Sequence, residues 1–512
     1  MKLLLLICFC CILLQSNAYK ILVCFSVPVK SLNILGEGVA RHLVNAGHEV
    51  TYITAFPIKE KVKNLHMIDV SSNQNIFEGD DILNIKYVLE NRAVEADMLY
   101  MQTRVYEIAA ATFQHENVQS LLKKDQHFDV VVADYIETEL YAAFAALYNC
   151  PMVWLYSMGA HWEPLRLIEG PAHPAYSMDY LTAHVPPFSF LQRVDQLWTQ
   201  IKWSFLKEFF TMPKEEAFYK QFFGPLLSER GRPLPEYREL IYNASMVLAN
   251  EHHAMGNVPA TPQNFRFIGG CHIMTPIKPL PQDLQTLMDN AKHGVIYFSM
   301  GSTWKSKDAP HQLKMELLAM FAELKQTVIW KHEEPLENVP KNVHIVHWAP
   351  QTSILAHPNL LFFITHGGLF SSTEALHFGV PIIGVPIYFD QFININKAIK
   401  KGYALTAELS VHWADNLRKP IQMMLTDPSY KAKAKELSNL YHDRAIPAHH
   451  ELVFSVEHAV RTGGAVHLRS PALHVPLYQK LYLDLVALIL LGLFVALGFY
   501  RKSRRSGKKK RD

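Results

Sequence analysis

The chain has 512 residues, 49% of them hydrophobic and 19% charged, with a formal net charge of +3. That length exceeds what one ordinary core supports and implies two domains, and the composition excludes a disordered chain. Much of the small positive excess sits in the tail from Arg501 to Asp512. Nothing in this charge pattern suggests a nucleic-acid-binding surface.

The chain opens with MKLLLLICFCCILLQSNA, in which Lys2 precedes an apolar run from Leu3 to Leu14 and small residues stand at Ser16 and Ala18. This predicts a secretory signal peptide over 1–18. A retained anchor is the alternative, and the run is short for a span. Next comes a strand, YKILVCFSV, then a helical pattern through Leu35 and Leu43 that Gly47 closes, then the β-branched run HEVTYITAF. Strand, helix, strand at this spacing predicts a βαβ unit and a parallel sheet buried on both faces. FDVVVADY (128–135) and CPMVWLYS (150–157) read as further buried strands.

Between about 160 and 240 the chain is rich in aromatics and proline, with helical periodicity in FLQRVDQLWTQIKWSFLKEFF. Most of these aromatics are expected in the core, some on an acceptor pocket, with membrane-surface contact as a further role. A proline-rich linker over 275–291 precedes a second βαβ series, with strands in GVIYFSMGS, TVIWKHE, VHIVHWAPQ and NLLFFITHGG. Two doubly wound domains place a ligand cleft between the carboxyl ends of their strands.

LYLDLVALILLGLFVALGFY (481–500) is long and apolar enough to cross a bilayer. A buried core helix is the alternative, disfavoured by RKSRRSGKKKRD (501–512), since clustered Lys and Arg mark a cytosolic flank. The expected topology is a lumenal body, one span and a short basic tail. Lys509 and Lys510 resemble a dilysine retrieval signal to the endoplasmic reticulum. Beyond the signal peptide only Cys24, Cys150 and Cys271 remain. They have no metal-ligand spacing and form at most one disulfide, which the sequence does not single out. Asn243-Ala244-Ser245 is an N-glycosylation sequon.

The segment with most chemistry is FITHGGLFSSTEALHFGVPIIGVPIYFDQ, Phe363 to Gln391. His366, Gly367 and Gly368 turn a buried strand into a helix whose amino end suits a phosphate. Glu374 on that helix can accept hydrogen bonds from vicinal hydroxyls. Asp390 and Gln391 offer an acceptor and a donor suited to a sugar. Upstream, Trp348 can stack on a base, and Gln351 can pair with a uracil edge.

Together with AGHEVTYIT, YFSMGS, WAPQ and TGGAVHLRSPA, these motifs resemble the UDP-glycosyltransferase family over almost the whole chain. The resemblance implies a GT-B fold: an N-terminal acceptor-binding domain (19–274) and a C-terminal UDP-sugar-binding domain (292–480). The last helices of the second domain are candidates to pack back on the first. It also implies an inverting, metal-independent transfer of a hexose from a UDP-sugar co-substrate, without a cofactor, to a small lipophilic acceptor. Ser302, His366, Gly367 and Gly368 would then hold the diphosphate, Trp348 and Gln351 the uridine, Glu374 the ribose, and Asp390 and Gln391 the sugar. The motif's wording is closer to invertebrate members, which points to glucose over glucuronate. A homo-oligomer is compatible with the family.

Two positions depart from the family pattern. Phe370 stands where many relatives have an Asn near the phosphate. Leu32, in SVPVKSLNILGEG, stands where the family carries a general-base His in the first strand–helix loop, while Asp134 matches that His residue's partner. Leu32 cannot take a proton. The expectations are a shift toward amines, thiolates or acidic phenols, direct action by Asp134, or an impaired homologue that binds UDP-sugar and lipophile without transfer.

Overall fold

A computed structural model describes residues 18–77, 89, 98–170, 172–255 and 260–508. The body of the expected signal peptide and the Lys509-Lys510 pair lie outside the described residues.

The β-branched runs form strands because they are apolar on both faces and can be buried only between helices. Ile21 to Cys24 and Val130 to Ala133 are completely buried. In the N-terminal domain, β1 (Lys20–Phe25), β2 (Glu49–Thr54), β3 (Leu65–Asp69), β4 (Val130–Asp134), β5 (Met152–Tyr156), β6 (Met246–Ala249) and β7 (Phe265–Phe267) form one sheet. Its order is β3-β2-β1-β4-β5-β6-β7, parallel throughout.

The C-terminal domain repeats this plan with β8 (Val295–Ser299), β9 (Thr327–Lys331), β10 (Val343–Val346), β11 (Leu360–Thr365), β12 (Ile382–Gly384) and β13 (Ala404–Thr406). Here the parallel order is β10-β9-β8-β11-β12-β13. Strand order therefore reverses between β1 and β4 in one sheet and between β8 and β11 in the other. Loops at such a reversal splay apart and leave a crevice.

The helix Ala448–Arg461 returns to the N-terminal sheet, burying Leu452, Val456 and Ala459 against Ile21, Val130 and Val153. A buried ion pair, Lys397 Nζ to Glu251 Oε1 at 2.9 Å, also joins the two domains.

The stretch 275–291 is not wholly a linker. Its helix Gln282–Asp289 buries Leu284 and Met288 with Val295 and Phe363 of the C-terminal core. Along the aromatic segment Trp162, Phe188, Tyr219, Phe223 and Tyr237 are buried, and one helix departs from that pattern. The helix Phe190–Leu206 continues through Thr211, but Phe190, Leu191, Trp198, Phe205 and Phe209 are exposed, Leu191 at 75%. Most of this helix's aromatics are thus not core; Trp203 alone of them is buried. At the far end, the helix Leu483–Lys508 carries one stretch, Leu483–Ser503, long and apolar enough to cross a membrane, and none of it is buried. Cys24, Cys150 and Cys271 are unpaired thiols.

Candidate active site

The loops at the two reversals enclose a cavity of about 540 Å³ lined by both domains. Every donor-side residue expected from the sequence except Gly367 lines it: Ser302, Trp348, Gln351, His366, Gly368, Glu374, Asp390 and Gln391. Leu32 lines the opposite wall.

The His366–Gly368 turn follows β11 directly, with Gly368 as N-cap of the helix Leu369–Phe378. The turn requires glycine at two points. Gly367 has φ 85°, and a Cβ on Gly301, at φ 82°, would stand 2.4 Å from the His366 ring. The backbone N–H groups of the helix start are thereby left open to an anion. Burial, helped by Lys331, pushes the His366 imidazole down to about 4, so it is neutral at pH 7 and carries one ring N–H.

Lys331 falls outside the sequence motifs, although it ends β9 at the same sheet edge. Its Nζ donates to Gly301 O at 3.0 Å and pairs with Glu333. Its ammonium lies in the cavity wall beside Gly301.

The uridine and ribose candidates form one network. Gln351 Nε2 donates to Glu374 Oε2 at 2.7 Å and to Ser371 Oγ at 3.2 Å, while Tyr297 O–H donates to Gln351 Oε1 at 3.2 Å. His272 Nε2 reaches Glu374 Oε1 at 3.2 Å from the other domain. Trp348 is half-exposed, and Lys30 Nζ stands 3.5 Å from its ring centroid, on the surface that would stack a base.

Asp390 and Gln391 open the helix Asp390–Lys400. Asn394 Nδ2 donates to Asp390 Oδ2 at 2.8 Å and to Gly367 O at 3.1 Å, which ties the sugar candidates to the glycine turn. Burial lifts the Asp390 carboxyl to about 6, against the pull of Asn394 and Lys397. Gln391 Oε1 accepts from the Ile387 and Tyr388 N–H groups, leaving its amide nitrogen as the donor.

The base slot differs from its expected setting. Leu32 lies in the first turn of the helix Lys30–Asn45, not in the loop before it, and packs with Val27, Ile108 and Phe370. Asp134 ends β4 at 2% exposure, is not among the cavity-lining residues, and neither of its oxygens has a hydrogen-bond partner. Ser157 N–H and hydroxyl pull the carboxyl down from short of bonding geometry, but burial dominates and raises it to about 8. Burial thus favours its protonated form, and its carboxyl does not face the cavity.

The N-terminal domain's wall of the cavity includes Met101, Ile136, Glu137, Met158, Tyr180 and Trp203. Asn243 is exposed beside β6, with its side-chain oxygen accepting from Arg469.

A family model described as UDP-glucoronosyl and UDP-glucosyl transferase matches residues 20–509. The chain is 30% identical to UDP-glucosyltransferase 2 of Dactylopius coccus, over 96% of this chain and 93% of that one. It is 29% identical to UDP-glucuronosyltransferase 2B1 of Rattus norvegicus, over 77% of this chain and 75% of that one. Among solved structures, the kitacinnamycin glycosyltransferase superposes with a TM-score of 0.56 at 18% identity. It covers 87% of this chain and 98% of its own. CalG4, the calicheamicin glycosyltransferase, gives 0.56 at 16%, over 87% and 99%. These structures share the GT-B fold of two facing Rossmann-type domains.

Proposed function

The chain belongs to the UDP-glucuronosyl and UDP-glucosyl transferase family, and from that premise we propose that it moves glucose from UDP-glucose to a small lipophilic acceptor. The transfer inverts the anomeric carbon without a metal. The observation that carries this reading is the single cleft in which Gln351, Glu374, His366 and Asp390 face an apolar wall from the other domain. A nucleotide fits the network side, a diphosphate fits the helix start beside Lys331, and a lipophile fits Met101, Met158 and Trp203.

Glucose is favoured over glucuronate by Asp390. A carboxylate at the sugar position accepts hydroxyl hydrogen bonds and repels a sugar carboxylate. The insect relative named a glucosyltransferase supports the same choice.

A second reading, a homologue that binds UDP-sugar and lipophile without transfer, is favoured by Leu32 and by the unpartnered, protonated Asp134. Turnover of UDP-glucose and UDP-glucuronate in membranes carrying the full chain, with a mixed panel of phenols, alcohols and amines, separates the readings. UDP binding without product from either donor supports the second.

The apolar helix Leu483–Ser503 and the exposed aromatics of Phe190–Leu206 support membrane attachment. We place the domains in the lumen of the endoplasmic reticulum, as a single-pass type I protein retained by Lys509 and Lys510, glycosylated at Asn243, and acting in detoxification. Loss of residence on removing the two lysines tests retention.

A further inference from the structure

Leu32 has no group to take a proton and Asp134 lies outside the cavity lining, so neither is placed to receive the proton that the acceptor must lose. A different carboxylate on the acceptor wall is placed to receive it. Glu137 stands three residues beyond Asp134, where the chain leaves β4 at the reversal of strand order. It lines the cavity, is 5% exposed and has φ 56°. A non-glycine residue in this left-handed region is held there against strain, a condition that clusters at functional sites.

The Glu137 oxygens are unequal. Oε1 accepts from the Tyr180 O–H at 2.7 Å, whereas Oε2 is buried without an N–H or O–H donor among the described residues, and the Glu163 carboxyl lies within hydrogen-bonding range of the Glu137 carboxylate. A buried carboxylate oxygen without a donor is costly, and a ligand N–H or O–H in the cavity would satisfy it. Tyr180 packs its ring 6.5 Å from that of Phe389, the residue before Asp390. Glu137 and the sugar candidates are thus separated by one aromatic pair.

Behind Glu137, Lys207 Nζ donates to its backbone carbonyl at 2.8 Å and pairs with Glu215 at 3.2 Å, and Arg166 pairs with Glu139. Glu163 is raised well above the usual carboxylate range by burial and then by the Glu137 charge.

We propose that Glu137 is the catalytic base of this chain, its Oε2 binding and deprotonating the nucleophilic O–H or N–H of the acceptor. As that oxygen or nitrogen bonds to the anomeric carbon, the bond from that carbon to the UDP oxygen breaks. Its electron pair leaves on the β-phosphate. The acceptor's proton passes to Glu137 and returns to water once the product has left.

The inference rests on the transferase reading above, and the experiment separates the two. Full chain in native membranes is given its working donor, UDP-glucose or UDP-glucuronate, with an aliphatic alcohol and with 4-nitrophenol. Glu137→Gln should lower alcohol transfer about a hundredfold or more, the usual contribution of a general base. The nitrophenol, already partly ionised at neutral pH, should lose less than tenfold, and UDP affinity should be unchanged. Equal losses on both acceptors, or alcohol transfer within twofold of the unmodified chain, overturn the assignment. If Glu137→Gln no longer binds UDP, Glu137→Asp, which keeps the charge one methylene shorter, takes its place. A loss confined to the alcohol then supports the base, and equal losses or none overturn it. Absence of transfer by the unmodified chain overturns the transferase reading itself, and Glu137 with it.

Discussion

Gln351 Nε2 donates to Glu374 Oε2 at 2.7 Å, so the proposed uracil contact and the proposed ribose contact are bonded to each other before any ligand arrives. Glu374 is also held by His272, which fixes its carboxylate from both sides. A ribose then meets a pre-oriented acceptor whose remaining lone pairs are available.

Glu374→Ala should weaken UDP binding by about tenfold to a hundredfold, as expected for a lost hydrogen bond to a charged group. Glu374→Gln, which keeps the shape without the charge, should fall between. Calorimetry on the purified protein reads both; unchanged affinity in Glu374→Ala would remove this residue from the donor site.

Gly301 provides a second test on the phosphate side. An alanine there would be strained at φ 82° and would press on the His366 ring. Gly463, at φ 60° with nothing within 4 Å of its added Cβ, isolates the strain alone. Gly301→Ala should lower UDP affinity at least about tenfold, whereas Gly463→Ala should lower only the melting temperature, left-handed alanine costing about 1–2 kcal/mol. Equal UDP affinity in the two variants would show that the His366 contact is irrelevant to the donor.

Much of this site was legible in the chain itself. The runs ending at Asp134, Ser299 and Thr365 are too apolar to be anything but central parallel strands, and the His366-Gly367-Gly368 turn marks where one becomes a helix. Residues at strand ends are brought together by topology, which explains why Ser302, Trp348 and Glu374 meet. What sequence periodicity could not give is what lies beside an amphipathic face. Phe190 to Phe209 carries aromatics at core-like spacing yet leaves them exposed. Glu137 was equally hidden, because nothing in DYIETEL tells which carboxylate oxygen will lack a donor. Leu32 was one structural step misplaced, inside the helix instead of the loop, since helix starts without a capping side chain leave no local signal.

The orphaned Asp134 gives a pH-dependent prediction whose sign is fixed by burial. Its folded pKa, about 8, lies above the unfolded value near 4, so the folded state binds the proton more tightly. The stability this confers is fully present below pH 4 and is lost as pH rises toward and through 8. Asp134→Asn has no such loss. Its melting temperature should differ little from that of the unmodified chain at pH 4 and exceed it by several degrees at pH 8. A difference that stays flat with pH would mean that Asp134 has a partner holding its charge.

The final prediction joins the two departures from the family pattern. Leu32 and Phe370, from opposite domains, belong to one apolar cluster with Val27 and Ile108. Leu32→His would place an imidazole in that cluster, where its polar atoms need a partner. Asp134 supplies a carboxyl with both oxygens free of hydrogen bonds. The new His–Asp pair would favour an ionised Asp134 and give the cleft a base of the usual kind. With Glu137 already serving as base the gain should be small in the otherwise unmodified chain, and in Glu137→Gln transfer to alcohols and weakly acidic phenols should rise by about tenfold or more. Amine acceptors, whose nucleophile carries a free electron pair once neutral, should gain little. The gain should vanish when Leu32→His is combined with Asp134→Ala. In a Glu137→Gln background, Leu32→His should restore alcohol transfer, because either base then suffices. The measurement is a pair of initial rates, one hydroxyl and one amine acceptor, on variants that retain UDP binding. No selective gain for the hydroxyl in the Glu137→Gln background would leave Leu32 as ordinary lining of the acceptor wall.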